Sequence, residues 1–160
     1  MKLFPTRKFT AELMKNKSNV ITELKQNTKL TSGLVSEWGV KENFIGQVNE
    51  NSFKIISSIV GFGALCVFIG KLNEKNIEIN VRFHKAFRIL FSILLSYPII
   101  GFIVIALTEG IESAFSFLPI LIFALLGIRF IFMELSFRVI SKIGMNKLTK
   151  TIGIKNSVME

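Results

Sequence analysis

The chain contains no aspartate; all eleven of its acidic residues are glutamate. Phosphoryl transfer and Mg²⁺ chemistry lean on aspartate, so most reactions of that class are set aside. The single cysteine, Cys66, cannot close an internal disulfide. It reads as a small buried apolar side chain, and no oxidising compartment is implied. The single histidine, His84, excludes a metal site built on two histidines of one chain. No nucleophile or acid partner stands near it in sequence, and it reads as an ordinary exposed histidine. Gly61-Phe62-Gly63 lacks the third glycine and the following lysine of a phosphate loop and reads as a bend or a close backbone approach. There is no zinc spacing, no aromatic-rich RNA-binding motif and no repeat of solenoid period. No apolar run follows the basic start Met1 to Thr10, so no cleavable signal peptide is expected. These absences lead us to expect no catalytic residue, no metal ligand and no cofactor.

What the 160 residues do contain is apolar: half are hydrophobic and only 19% are charged. No charged side chain occurs from Ile89 to Thr108, nor from Ser113 to Ile128. Such runs predict two transmembrane helices, from about Ala86 to Leu107 and from about Ala114 to Leu135. The link Thr108-Glu109-Gly110-Ile111-Glu112 is short and carries only acidic charge. Pro98 and Pro119 fall within the predicted spans, where proline is tolerated and kinks the helix. The stretch Ile55 to Gly70 is also uncharged, but as a helix it reaches only about 24 Å against a hydrocarbon core of roughly 30 Å. Its Gly61, Gly63 and Gly70 and its Ile, Val and Phe content predict buried strands instead. Lys2, Arg7, Lys8, Lys15, Lys17, Lys25, Lys29 and Lys41 precede it, and Arg138, Lys142, Lys147, Lys150 and Lys155 follow the last span. Cytoplasmic flanks are rich in Lys and Arg, so both ends are expected in the cytoplasm and the number of spans is even. The net charge of +9, set beside two apolar spans, points to anionic lipid at an inner (plasma) membrane rather than to nucleic acid.

The remainder predicts a small strand-rich unit. Phe9, Ala11 and Leu13 alternate with Lys8, Thr10 and Glu12, the period of a half-buried strand. Ser18 reads as the N-cap of a helix from about Asn19 to Asn27, with Val20, Ile21 and Leu24 on one face. Thr28 to Gly39 reads as a loop anchored by Leu34, Val35 and Trp38. Asn43 to Val48, the turn Asn49-Glu50-Asn51 and Phe53 with Ile55 predict a hairpin. Cys66 to Lys71 and a turn from Leu72 to Asn76 lead to the clearest strand, in which Ile77, Ile79, Val81 and Phe83 alternate with Glu78, Asn80, Arg82 and His84. The expected fold is therefore an α+β membrane protein. It comprises a cytoplasmic unit of about five strands and one helix (1–85), a two-helix transmembrane hairpin (86–135) and a basic cytoplasmic tail (136–160).

Candidate contacts with the lipid surface are Arg88, Arg129, Lys142, Lys147 and Lys150. Arg88 and Arg129 stand near the inner ends of the spans, where long side chains snorkel to the headgroups. The three lysines share the tail with Ile140, Ile143 and Leu148, a basic amphipathic pattern that reads equally as a segment lying on anionic lipid or as a solvated helix. Glu134 and Arg138, four apart, read as a helix-stabilising pair.

Met1-Lys2-Leu3-Phe4-Pro5 with the strand at Phe9, Phe44-Ile45-Gly46-Gln47-Val48, Ser52-Phe53-Lys54-Ile55, Gly70-Lys71 and the strand Ile77 to Val81 together resemble a family of small uncharacterised bacterial membrane proteins. The resemblance implies a short N-terminal strand-rich unit followed by a two-helix hairpin and a basic tail. It implies no reaction. The chain departs from it at Ile59-Val60-Gly61-Phe62-Gly63, where the family carries a polar Arg-Asn-Ser-Phe stretch. The expected function is non-catalytic: a membrane-anchored module that binds a partner protein, a lipid or a small ligand. Homo-oligomerisation is compatible with it. The alternative is a membrane-perturbing effector, toxin-like or acting in phage defence, triggered through its cytoplasmic part.

Overall fold

The computed structural model describes residues 3–159 and divides the chain into two compact units, Met1–His84 with Phe137–Glu160, and Lys85–Ser136. Met1, Lys2 and Glu160, on which the expected cytoplasmic ends fall, lie outside the described residues.

Among the described residues the first unit is a seven-stranded sheet with two α-helices and a short 3₁₀ turn, Gly63–Leu65. Its elements are β1 (Thr6–Leu13), α1 (Lys17–Gln26), β2 (Thr28–Leu30), β3 (Phe44–Val48), β4 (Ser52–Ser57), β5 (Cys66–Leu72) and β6 (Asn76–Phe83), joined after the second unit by α5 (Ser136–Ile152) and β7 (Ile154–Met159). The strand order is β2-β3-β4-β5-β6-β1-β7; β2 and β3 are parallel and every other neighbouring pair is antiparallel. The two expected hairpins form as read, and Ile55 to Gly70 is two strands with a turn between them, not a helix.

Alternation builds the core. Ile77, Ile79, Val81 and Phe83 are buried on one face of β6. Register sets Leu72, Gly70, Phe68 and Cys66 of β5 beside them, and Ala11 and Phe9 of β1 on the other side. The helix α5 docks on this sheet. A Cβ added at Gly144 would stand 2.2 Å from the Phe68 ring, so helix and strand meet where no larger residue fits. The Phe137 and Phe83 rings meet tilted, with a centroid separation of 5.1 Å. α1 buries Val20 and Leu24 completely, and Asn43 Nδ2 donates to Asn27 Oδ1 at 3.1 Å, tying the helix end to β3.

Several expectations are corrected. The unit has six strands before the second unit and a seventh after it, not about five. Thr28 to Gly39 is not wholly loop, because Thr28–Leu30 pairs with Phe44–Gly46. Of its three anchors only Leu34 packs, against Ile45, Ile56 and Val67, whereas Val35 and Trp38 are exposed. α1 is capped at Asn16, without a side-chain bond, and Ser18 lies within it. The stretch 136–160 is not a separate tail: α5 buries Phe137, Ser141, Gly144, Met145, Leu148 and Ile152, and β7 pairs with β1.

The second unit is helical. α2 (Lys85–Thr108) is followed by α3 (Ile111–Ser116), α4 (Leu118–Leu126) and a π-helical stretch, Gly127–Leu135. α2 contacts α4 and the π stretch, as the two arms of a hairpin do. Pro98 lies inside α2, where it was expected. Pro119 lies at the first turn of α4, so it begins a helix instead of kinking one. Two helical runs, Lys85–Thr108 and Leu118–Ile152, are long and apolar enough to cross a membrane. Little of either apolar window is buried, and side chains such as Ile93, Ile103, Ile120 and Phe123 are exposed.

Candidate functional site

The sheet has a second face. One corner of it is closed by Ile45, Ile56 and Val67 under Leu34 and Val40. The rest is polar, and strand register determines which residues meet there. Lys8 of β1 lies opposite Asn80 of β6, which lies opposite Ile69 of β5, which lies opposite Lys54 of β4. In the adjacent row Thr10, Glu78 and Lys71 stand side by side. A groove of about 530 Å³ crosses β5, β6 and β1 here, lined chiefly by Lys8, Thr10, Ile69, Lys71, Glu78 and Asn80.

Asn80 sits at the centre. Alternation placed it on the wet face, yet its Oδ1 is buried and has no hydrogen-bond partner among the described residues. A buried acceptor without a donor costs about 1–3 kcal/mol, a polar cost built into the floor of the groove. Around it cations outnumber carboxylates: Lys8, Lys54, Lys71 and Arg82 share this face with Glu78 and, one row further along, Glu12. None of these four cations makes an ion pair or a side-chain hydrogen bond with the described residues. The surplus of charge is felt at His84, whose backbone N–H donates to the Leu65 carbonyl at 2.9 Å. Burial, and then the Lys54 charge, hold its imidazole below the ordinary histidine range. The arrangement can hold a small anion, whose negative charge the lysines meet.

The candidate residues of the sequence reading lie elsewhere. Arg88 is exposed near the start of α2. Arg129 pairs with Glu134 at 3.3 Å within the π stretch. Residues five apart align in a π-helix because its hydrogen bonds close i→i+5, and the i,i+4 spacing of Glu134 and Arg138 did not anticipate this pair. Lys142 and Lys150 are exposed on α5 and Lys147 is half-buried. Leu148, part of the basic amphipathic pattern, is fully buried, whereas Ile143 is exposed. The basic groove escaped sequence reasoning because its residues come from separate strands. Its one local signal was the alternation of Lys8, Thr10, Glu78 and Asn80 with buried neighbours. Among the described residues no group of three or more His, Cys, Asp or Glu is placed to hold a metal ion. No family model, curated protein or solved structure matches the chain.

Proposed function

We propose that the chain is a non-catalytic, membrane-anchored module whose open sheet face binds a small anionic ligand. The observation that carries the reading is the groove across β1, β6 and β5, in which Lys8 and Lys71 face solvent without an ion pair among the described residues. Inorganic pyrophosphate serves as a probe of the site. It is expected to raise the unfolding temperature of the full chain in detergent at constant ionic strength. A ligand at about a hundredfold excess over its Kd stabilises by about 2.7 kcal/mol. Lys8→Gln/Lys71→Gln is expected to lose this response, while Lys142→Gln/Lys150→Gln keeps it. Equal responses in both double variants would refute the site.

The anchor is the hairpin. At about 1.5 Å per residue α2 is about 36 Å long, enough for a core of roughly 30 Å. Its two flanks belong to one sheet: β7, which follows the hairpin, pairs with β1, which precedes it. Strands cannot pair across a bilayer, so both flanks lie on one side of the membrane that the hairpin crosses. The basic flanks and the acidic Glu109 and Glu112 of the link support the cytoplasm of a bacterial inner membrane as that side. Reporters fused to either end are therefore expected to report the cytoplasm, and one inserted at Gly110 the outside. Ends reported on opposite sides would contradict the sheet itself.

A second reading, a membrane-perturbing effector, is favoured by Arg129 and Glu134, since ionised pairs inside apolar helices mark polar paths or contacts between helices. Overexpression would then arrest growth, and Arg129→Leu/Glu134→Leu would relieve the arrest without lowering the protein level. Normal growth on overexpression removes this reading.

A further inference from the structure

The two ends of the sheet differ in polarity. At one end lie the turns Asn49-Glu50-Asn51 and Asn73-Glu74-Lys75, brought together by the bond from Leu72 N–H to the Asn51 carbonyl. These are ordinary turn residues. At the other end β4 and β5 are joined through Ile59, Val60, Gly61 and Phe62. Ile59 is 39%, Val60 40% and Phe62 67% exposed. Single exposed apolar side chains are common on soluble proteins, but a turn tip made of three is not what turns select.

This tip is held in place. Gly63 N–H donates to the Ile59 carbonyl at 2.8 Å and Leu65 N–H to the Phe62 carbonyl at 3.0 Å. Gly61 takes φ +84°, which a side chain rarely adopts, and a Cβ at Gly63 would meet the Ser57 carbonyl oxygen at 2.1 Å. The apolar side chains are thus presented outward on a tight, bonded turn. The position of that turn in the fold is equally specific. Cys66 pairs with Phe83, and His84 N–H bonds the Leu65 carbonyl. Lys85, the next residue, is the first of α2.

We infer that the turn 58–64 is a lipid-contacting tip, which seats Ile59, Val60 and Phe62 in the bilayer interface beside the point where the chain leaves the sheet for α2. The inference rests on the reading of α2 as a membrane span. If α2 spans, its first residue lies at the membrane surface, and a turn bonded to the residue before it lies there too. The contact is distinct from the basic groove and fixes the sheet against the surface at a second point besides the hairpin.

Depth-dependent quenching tests this on the full chain in vesicles of mixed neutral and anionic lipid. Phe62→Cys, Asn73→Cys and Ile103→Cys each carry an environment-sensitive fluorophore. Cys66 is buried and its thiol is pushed up to about 12, so the native chain, treated in parallel, stays unlabelled and serves as the blank. The label at position 62 is expected to be quenched several-fold more by lipid bearing a nitroxide near the headgroup than the label at position 73. The label at position 103 is expected to be quenched by a nitroxide deep in the chains. Val60→Cys repeats the tip measurement should Phe62→Cys fold poorly. Tip labels that behave like position 73 while position 103 is quenched overturn the inference and leave the membrane reading standing. A tip label shielded from water but unquenched by lipid signals a protein contact and also overturns it. An unquenched position 103 overturns both.

Discussion

Ile79→Asp is expected to unfold the sheet unit at moderate temperature while leaving the apolar helices helical. Ile79 is 1% exposed and lies between Phe9 of β1 and Gly70 of β5. Removing its side chain from the core forfeits about 1.5–3 kcal/mol of burial. The incoming carboxylate has no partner there, because Ile77 and Val81 line the same face. Together these effects place the loss at about 4 kcal/mol or more, against the 5–15 kcal/mol that holds a typical domain. The measurement is thermal unfolding and protease resistance of the full chain in detergent, with Glu78→Ala, one residue along on the exposed face, as the control. That control is expected to stay within about 0.5 kcal/mol of the parent. The defect also has a sign in pH. Burial raises the new carboxyl above its ordinary value of about 3.9, so the folded state holds its proton more tightly than the unfolded. Stability is then regained as pH falls and lost as pH rises through the folded value. Matching behaviour of Ile79→Asp and Glu78→Ala would show that β6 is not half-buried.

Gly144→Leu is the second large effect. The Cβ alone would stand 2.2, 2.7 and 3.3 Å from three atoms of the Phe68 ring. Phe68 is fully buried, so its ring has nowhere to retreat. Overpacking of this kind costs about 1–3 kcal/mol. Leucine is a better helix former than glycine by nearly 1 kcal/mol, so any loss reports docking and not helicity. With α5 displaced, Met145, Leu148 and Ile152 lose their burial together. Trypsin is then expected to cut at Lys142, Lys147 and Lys150 several-fold faster than in the parent. Asn146→Leu, on the exposed side of the same helix, should not accelerate it. Unchanged cleavage in Gly144→Leu would mean that α5 is a free helix after all.

This helix marks where reading along the chain stopped working. Its lysines and its place after the last apolar span read as a solvated or lipid-bound tail. Its buried positions, Phe137, Ser141, Gly144, Met145, Leu148 and Ile152, do fall at helical spacing. Two of the six are a serine and a glycine, so the apolar stripe is interrupted in sequence although continuous in space. β2 was missed for a related reason. It has three residues, and its parallel partner Phe44–Gly46 lies beyond an intervening loop. The π stretch left no trace either, since its defining feature is a backbone hydrogen-bond pattern.

Local periodicity and composition are legible along the chain before any contact is known. The two-residue alternation placed β1, β6 and the β3–β4 hairpin, the turn before β6 placed β5, and runs without charge marked two helices long and apolar enough to cross a membrane. Only the tertiary structure decided that the segments before and after those helices build one sheet. It also decided that Lys8, Lys54, Lys71, Arg82 and the buried Asn80 carbonyl share one face. The physical reason is register. A strand's own pattern says which side chains share a face, but which side chain of the neighbouring strand lies opposite is settled by cross-strand hydrogen bonds and core packing.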